Sequence, residues 1–220
     1  MPRGPTPTLL LTRPLASSRW LAGRFDGPVV ISPVMRIVPL PFDRAALADA
    51  PGVVLTSAHA VPAAGPGRGR PAICVGARTA AMARRAGFRV TEGPGDAAGL
   101  LPLIAAGPPG LVHPHGRHVA QRLPVPGVAV YDQQALPLTP EARALLQGAG
   151  PVILPVFSPR SAGLVADQAR DARAPLWLVA ISPAAMAAWT GPADRRLLAD
   201  APSGRAMEDA IRRIARAEQS

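Results

Sequence analysis

The chain contains no lysine: all 24 basic residues among its 220 are arginine. That excludes lysine-anchored pyridoxal chemistry and other lysine Schiff-base mechanisms. It also removes the lysine from any phosphate-binding P-loop. A single cysteine, Cys74, rules out a disulfide framework within the chain and suits a reducing compartment. Set in the apolar run AICVG, Cys74 reads as a small buried hydrophobe. Aromatics are only 4% of residues, so the core has to be made from Ala, Val, Leu and Ile. Small side chains of this kind favour helices packed closely on a sheet. Charged residues are also scarce, at 17% against 48% apolar, which excludes an intrinsically disordered chain. No apolar run reaches the roughly 18–20 residues of a membrane span. The longest weakly polar stretch, Leu176–Trp189, is interrupted by Ser182 and Pro183. The apolar part of MPRGPTPTLLLTRP is too short for a signal peptide. The expectation is a cytoplasmic protein without membrane contact.

What acid there is falls short of the base. Net charge is +10, and the time-averaged field attracts anions. Nucleic acid is one candidate and a small polycarboxylate or phosphate is another. The arginine pairs Arg84–Arg85 and Arg212–Arg213 sit on predicted helices and read as solvated faces. They lack the interleaved aromatics of a nucleic-acid surface, so no nucleic-acid partner is expected.

One theme repeats along the chain. A short β-rich run ends in a small polar residue or glycine, and an Ala-rich amphipathic stretch follows. The instances are TLLLTRP (8–14), GVVLTSA (52–58), AICVGAR (72–78), GLVHPHGR (110–117), VILPVFSPRSA (152–162) and LWLVAISPAA (176–185). The apolar runs are continuous, which marks strands buried on both faces of a parallel sheet. Thr79–Ala86 and Ser161–Ala169 carry apolar residues at helical spacing. Thr12, Ser57, Ser158 and Ser182 stand where helix N-caps are expected. Pro14, Pro159 and Pro183 stand early in the helices they open. The alternation predicts an α/β fold.

Two extended, proline-containing segments, Val34–Phe42 and Val128–Pro137, interrupt the alternation. They read as two crossings between domains, with the middle block forming one domain and the flanking pieces joining into the other. The loop Pro62–Arg70 (PAAGPGRGR) reads as a flexible surface connection.

Each strand-to-helix junction offers backbone N–H groups at a helix start, where anions are favoured, and in open parallel sheets ligands bind at these carboxyl ends. Six such junctions in a basic chain point to a polyanionic ligand. His113, His115 and His118 form an HxHxxH cluster. Imidazole is the commonest protein ligand for zinc, and His113 and His115 share a strand face. The nearest acids, Asp96 and Asp132, are not in ligand spacing. The alternative is a strand end with polar side chains, His115 serving as an anion contact, and no metal is expected. Tyr131, the sole tyrosine, is either an amphipathic edge residue or a hydrogen-bond donor or general acid in a cleft. Arg13, directly after the first strand, is either a solvated helix-start residue or an anion contact. Ser158 and Ser161 look first like cap residues, outside any GxSxG elbow. No close carboxylate pair and no GxGxxG motif is present.

The ordered set LLLTRP, VVLTSAHAV, AICVGARTAAMARRAGF, GDAAGLLPLI, LVHPHGRHVA, VAVYDQQALP, FSPRSA and AISPAA resembles the uroporphyrinogen-III synthase family. VGARTAAMARRAGF and FSPRSA are its most telling parts. The resemblance implies two parallel-sheet α/β domains joined by a two-stranded connector, with a cleft between them. Placed on this sequence, residues 1–36 and 134–220 form the first domain and 40–128 the inserted second one. Residues 37–39 and 129–133 form the connector. It further implies that the substrate is hydroxymethylbilane, a linear tetrapyrrole with acetate and propionate arms on each ring. The terminal hydroxyl leaves as water, the macrocycle closes and ring D is inverted, by way of an azafulvene and a spiro intermediate. No cofactor is implied, and a monomer is expected.

Carried over residue by residue, the resemblance makes Tyr131 the cleft tyrosine that assists loss of the hydroxyl. Arg13 matches the basic residue after the first strand. Thr56, Ser57, Gly76, Thr79, Ser158 and Ser161 fall on loops lining the cleft. There are departures. His59 stands where Asn is common, and His115 where an Arg before Gly is usual. Ser182-Pro183-Ala184 replaces Gly-Pro-Thr, so a contact at Ala184 would run through backbone N–H, beside Ser182. The competing reading is a non-catalytic two-domain binding module for a polyanionic small molecule.

Overall fold

A computed structural model gives the fold and describes residues 6–119 and 121–216. The first five residues of MPRGPTPTLLLTRP and the last residue of LVHPHGRHVA lie outside the described residues. In chain order the strands are β1 (Thr8–Leu11), β2 (Val29–Ile31), β3 (Met35–Pro39), β4 (Gly52–Leu55), β5 (Pro71–Cys74), β6 (Arg89–Glu92), β7 (Leu111–Gly116), β8 (Gly127–Ala135), β9 (Val152–Val156), β10 (Leu176–Ala180) and β11 (Arg195–Leu198). The helices are α1 (Leu15–Ala22), α2 (Ala45–Ala48), α3 (Ala77–Arg85), α4 (Leu101–Ala105), α5 (Pro140–Leu146), α6 (Pro159–Gln168), α7 (Pro183–Ala187) and α8 (Gly204–Arg216). Two compact units result: Met1–Arg36 with Ala135–Ser220, and Ile37–Gln134. The chain leaves the first unit within β3 and returns to it within β8. Among the described residues no helix is long and apolar enough to cross a membrane.

The first unit holds a five-stranded sheet in the order β11-β10-β9-β1-β2, parallel at every pairing. β9 and β10 are buried along their whole length, and the two-residue period of a strand then feeds two cores. Leu10, Val152, Leu154, Leu176 and Leu178 point into one, where Ala142 and Leu146 of α5, Ala162 and Val165 of α6, and Ala185 of α7 meet them. Leu9, Leu11, Ile153, Trp177 and Val179 point into the other. There α8 presents Met207, Ala210, Ile211 and Ile214, a spacing of three and four that places them on one helical face. Fully burying one such aliphatic side chain contributes roughly 1.5–3 kcal/mol. These continuous apolar runs therefore decide which strands are central.

The second unit holds a six-stranded sheet in the order β3-β8-β7-β4-β5-β6, with β4, β5, β6, β7 and β8 paired in parallel. Val53 and Leu55 pack with Ala80 and Ala83 of α3 on one face. Val54 and Ile73 pack with Leu100 and Ile104 on the other. Two prolines sit in interior strands, where a missing N–H is normally excluded. The registers resolve this. Pairing of β9 with β1 ends at Ile153, before Pro155, and pairing of β7 with β4 ends at Val112, before Pro114.

Helix starts follow the sequence with one exception. Ser158 forms a capping box with Ser161 at the start of α6, and Ser182 accepts from the N–H of Ala185 at the start of α7. Ser57 caps a short 3-10 turn over Ala58–Ala60. Each such cap contributes ~0.5–2 kcal/mol. Thr12 does not cap α1. It is buried, and the N-cap position belongs to Pro14, with no side-chain cap. Proline's fixed φ near −65° turns the chain there without a hydroxyl.

The loop Pro62–Arg70 is not the flexible connection expected. The Arg70 guanidinium donates to the carbonyls of Leu47, Ala48 and Ala50 through Nη1, at 2.7, 3.2 and 3.0 Å. Through Nη2 and Nε it also reaches those of Ala64, Pro66 and Gly67, at 3.0, 3.4 and 3.4 Å. Gly67 and Gly69 donate to Ala86 O and Gly87 O, which ties the loop to the end of α3. A Cβ at Gly67 would stand 2.3 Å from the Phe88 nitrogen, so only glycine permits this approach.

Candidate functional site

In each unit the parallel strands end together, and the expected site residues gather at those ends. In the first unit Arg13 follows β1, Ser158 and Ser161 follow β9, and Ser182 and Ala184 follow β10. The Arg13 guanidinium stacks on the Phe157 ring at 4.0 Å. The two serines of α6 are occupied with each other. Ser158 N–H donates to Ser161 Oγ at 3.1 Å, Ser161 N–H donates to Ser158 Oγ at 3.1 Å, and Ser161 Oγ donates to Ser158 O at 3.0 Å. Their hydroxyls thus hold the helix start in place. Ala184, second residue of α7, is exposed and carries no side-chain polar group.

In the second unit Thr56 and Ser57 follow β4, Gly76 opens α3 after β5, His115 is the last residue but one of β7 and Tyr131 lies in β8. Thr79 is buried one turn into α3. Tyr131 is the centre of this group. It is 5% exposed, its hydroxyl bonds with Ser57 and with the backbone of Gly116, and its ring meets His59 edge-on at 5.9 Å. Burial raises its pKa above the usual tyrosine value; the bonds with Ser57 and Gly116 pull the other way. The phenol is therefore a proton donor at neutral pH. Gly116 makes the position possible: a Cβ there would lie 2.6 Å from Tyr131 Cε2 and 2.9 Å from its hydroxyl.

His113, read from the sequence as a metal candidate or a polar side chain at a strand end, is part of the group in a different capacity. It is buried, and its Nε2 lies 2.9 Å from Thr56 Oγ1. It thereby fixes the hydroxyl at the end of β4. His115 stands beside it, ring centroids 5.0 Å apart, and donates Nδ1–H to Gly116 O at 2.7 Å. His118 departs from the cluster: its Nε2 lies 3.6 Å from Asp132, which also pairs with Arg117 at 3.2 Å. Among the described residues no three His, Cys, Asp or Glu side chains are arranged to hold a metal. Cys74 is fully buried with its thiol pushed up to about 11, mainly by burial. The signal that could have singled out His113 is its position two residues before His115, on one strand face.

His113 also carries a pH prediction. Burial, with the neighbouring His115, lowers its pKa from 6.5 to about 4. Between those values the unfolded chain binds the proton and the folded one does not, so stability rises with pH across that window. Acidifying from pH 6.5 to 4 should cost on the order of 3 kcal/mol through this group alone. Urea unfolding at several pH values checks it: His113→Gln should flatten the slope in that window, and an unchanged slope would refute the assignment.

Comparison with known proteins places the chain as a whole. The family model described as uroporphyrinogen-III synthase HemD matches residues 21–207. No curated protein matches the sequence. A solved structure, uroporphyrinogen-III synthetase from Helicobacter pylori, is similar with a TM-score of 0.62 at 12% identity, over 94% of this chain and 99% of that one. At that identity the likeness is one of fold.

Proposed function

Because the chain belongs to the uroporphyrinogen-III synthase family, we propose that it cyclises hydroxymethylbilane to uroporphyrinogen III, losing water and inverting ring D, as a hydro-lyase of porphyrin biosynthesis. The single observation that carries this is the family match across most of the chain. Under this reading β3 and β8 are the two-stranded connector between two domains. The substrate is a flexible polyanion, and the protein works chiefly by orientation, which in favourable intramolecular cases supplies ~7–11 kcal/mol. Its carboxylates meet Arg13, the helix starts after Ser158 and Ser182, and the group of Thr56, Ser57, Gly76 and His115.

Tyr131 is the proposed donor to the departing hydroxyl. The C–O bond breaks, the leaving oxygen takes the phenolic proton, and water departs. A phenol held protonated by burial, with Ser57 and the Gly116 backbone fixing its oxygen, suits that step. Ionisation of this substrate is intrinsically easy, so the gain stays below the ~10²–10⁴-fold of a demanding general acid.

Steady-state kinetics on two variants test the assignment. Tyr131→Phe should lower kcat several-fold with little change in KM. Arg13→Ala should mainly raise KM, by about tenfold or more, as loss of a charge-assisted bond of ~1.5–3 kcal/mol requires. Wild-type constants for both would remove these two residues from the reaction.

A further inference from the structure

The second unit contains a cavity of about 930 Å³ on the face of its sheet that carries the 3-10 turn and α3. This is the size of a pocket for a drug-sized molecule, ~300–1,000 Å³. Its apolar walls include Ile37, Phe42, Met82 and Val130. Arg44 and Arg68, both exposed, are also among its lining residues. Among the described residues neither has an acidic or hydrogen-bonding partner, whereas the third, Arg70, spends its donors on the carbonyls of two walls. That makes the cavity preformed: Arg70 ties Leu47–Ala50 to Ala64–Gly67 across it.

Arg68 adds a second observation. It is the one non-glycine residue with positive φ among the described residues, at +48°. L side chains adopt that region at a cost and persist there where the surroundings over-determine them. Glycines on either side, Gly65 and Gly69, already take positive φ, so a glycine at 68 would relieve the strain. An arginine thus lines the cavity at a position whose backbone favours glycine.

The geometry points to this cavity as a binding site for a small amphipathic carboxylate, its apolar body against Phe42 and Met82 and its anionic end between Arg44 and Arg68. The site adjoins the group proposed for the cyclisation and extends away from it, along Phe42, Ala48, Arg68 and Met82. Of the strand-end group only Tyr131, with His59 beside it, also borders the cavity; Thr56, Gly76 and His115 do not.

Fluorescence titration of the full chain with pyrenebutyrate tests it, with pyrenebutanol as the uncharged counterpart. Saturable one-site binding of the carboxylate is expected, at least tenfold tighter than the alcohol. Arg68→Gly, which keeps the left-handed backbone and so the fold, should weaken binding at least tenfold. Ala48→Trp, placing a ring in the cavity, should do the same. Thr56→Ala, at the strand ends, should leave binding unchanged. Equal binding of acid and alcohol, absence of binding, or insensitivity to both Arg68→Gly and Ala48→Trp would overturn the assignment. Loss of binding in Thr56→Ala would also overturn it, by moving the carboxylate to the strand ends. None of these readings depends on turnover.

Discussion

Gly116→Ala should reduce turnover of hydroxymethylbilane by about a hundredfold, the loss expected when a reacting group is displaced by an ångström. The added methyl would stand 2.6 and 2.7 Å from two carbons of the Tyr131 ring and 2.9 Å from its hydroxyl oxygen. Carbon atoms do not approach that closely, and Tyr131 is buried, so the ring must shift and its bond with Ser57 must break. Tyr131→Phe removes one oxygen and leaves the ring where it is. Gly116→Ala moves the ring, releases Ser57 and disturbs β7 where it pairs with β8 through an irregular register. The effect on kcat should therefore exceed that of Tyr131→Phe. Overpacking of this kind costs typically 1–3 kcal/mol of stability, so a thermal melt accompanies the kinetics. A folded Gly116→Ala protein with wild-type kcat would mean that the position of Tyr131 does not matter to the reaction.

Arg70→Ala should be the most damaging single change to stability outside the apolar cores, at about 3 kcal/mol. Six carbonyl acceptors from two separate segments converge on one guanidinium. Removing it takes the donor from five of those carbonyls, while Gly67 O keeps the backbone N–H of residue 70. For a chain of this size the midpoint should fall by roughly 10 °C, at 2–4 °C per kcal/mol. Arg70→Lys should recover little, because an ammonium is a point donor and cannot span the two walls as the planar fork does. Differential scanning calorimetry decides it: a midpoint within about 2 °C of wild type for Arg70→Ala would show that the loop holds itself.

These two positions also show how legible the molecule was in its sequence. The six strands read from continuous apolar runs are β1, β4, β5, β7, β9 and β10. Five of them are legible because burial on both faces leaves little room for polar residues; β7 carries His113 and His115 and was legible from its apolar start and the glycine that ends it. The edge strands β2, β6 and β11 were not read as strands. β6 and β11 are largely solvated, with sequences RVTE and RRLL, and carry no such signal. Ser158 and Ser182 announced their helices because a cap is a local interaction. Thr12 misled because Pro14 turns the chain instead. The Gly- and Pro-rich loop before Arg70 looked loose, since its stiffness comes from carbonyls some twenty residues earlier in the chain. At the candidate site, strand ends were legible and the partnerships across them were not. Nothing local says that Tyr131 rests on Gly116, or that His113 reaches back to Thr56. The cavity beside Phe42 was invisible for the same reason, its walls coming from β3, α2, the loop after β4, α3 and β8.

The family assignment rests on the match over residues 21–207, and its chemical content is the inversion of one ring. The most direct measurement is therefore of product isomers. The protein is incubated with enzymatically generated hydroxymethylbilane, the porphyrinogens are oxidised, and the isomers are separated. The isomer with ring D inverted should dominate, in an amount that rises with protein concentration. An isomer ratio the same as in a control without protein would contradict the account.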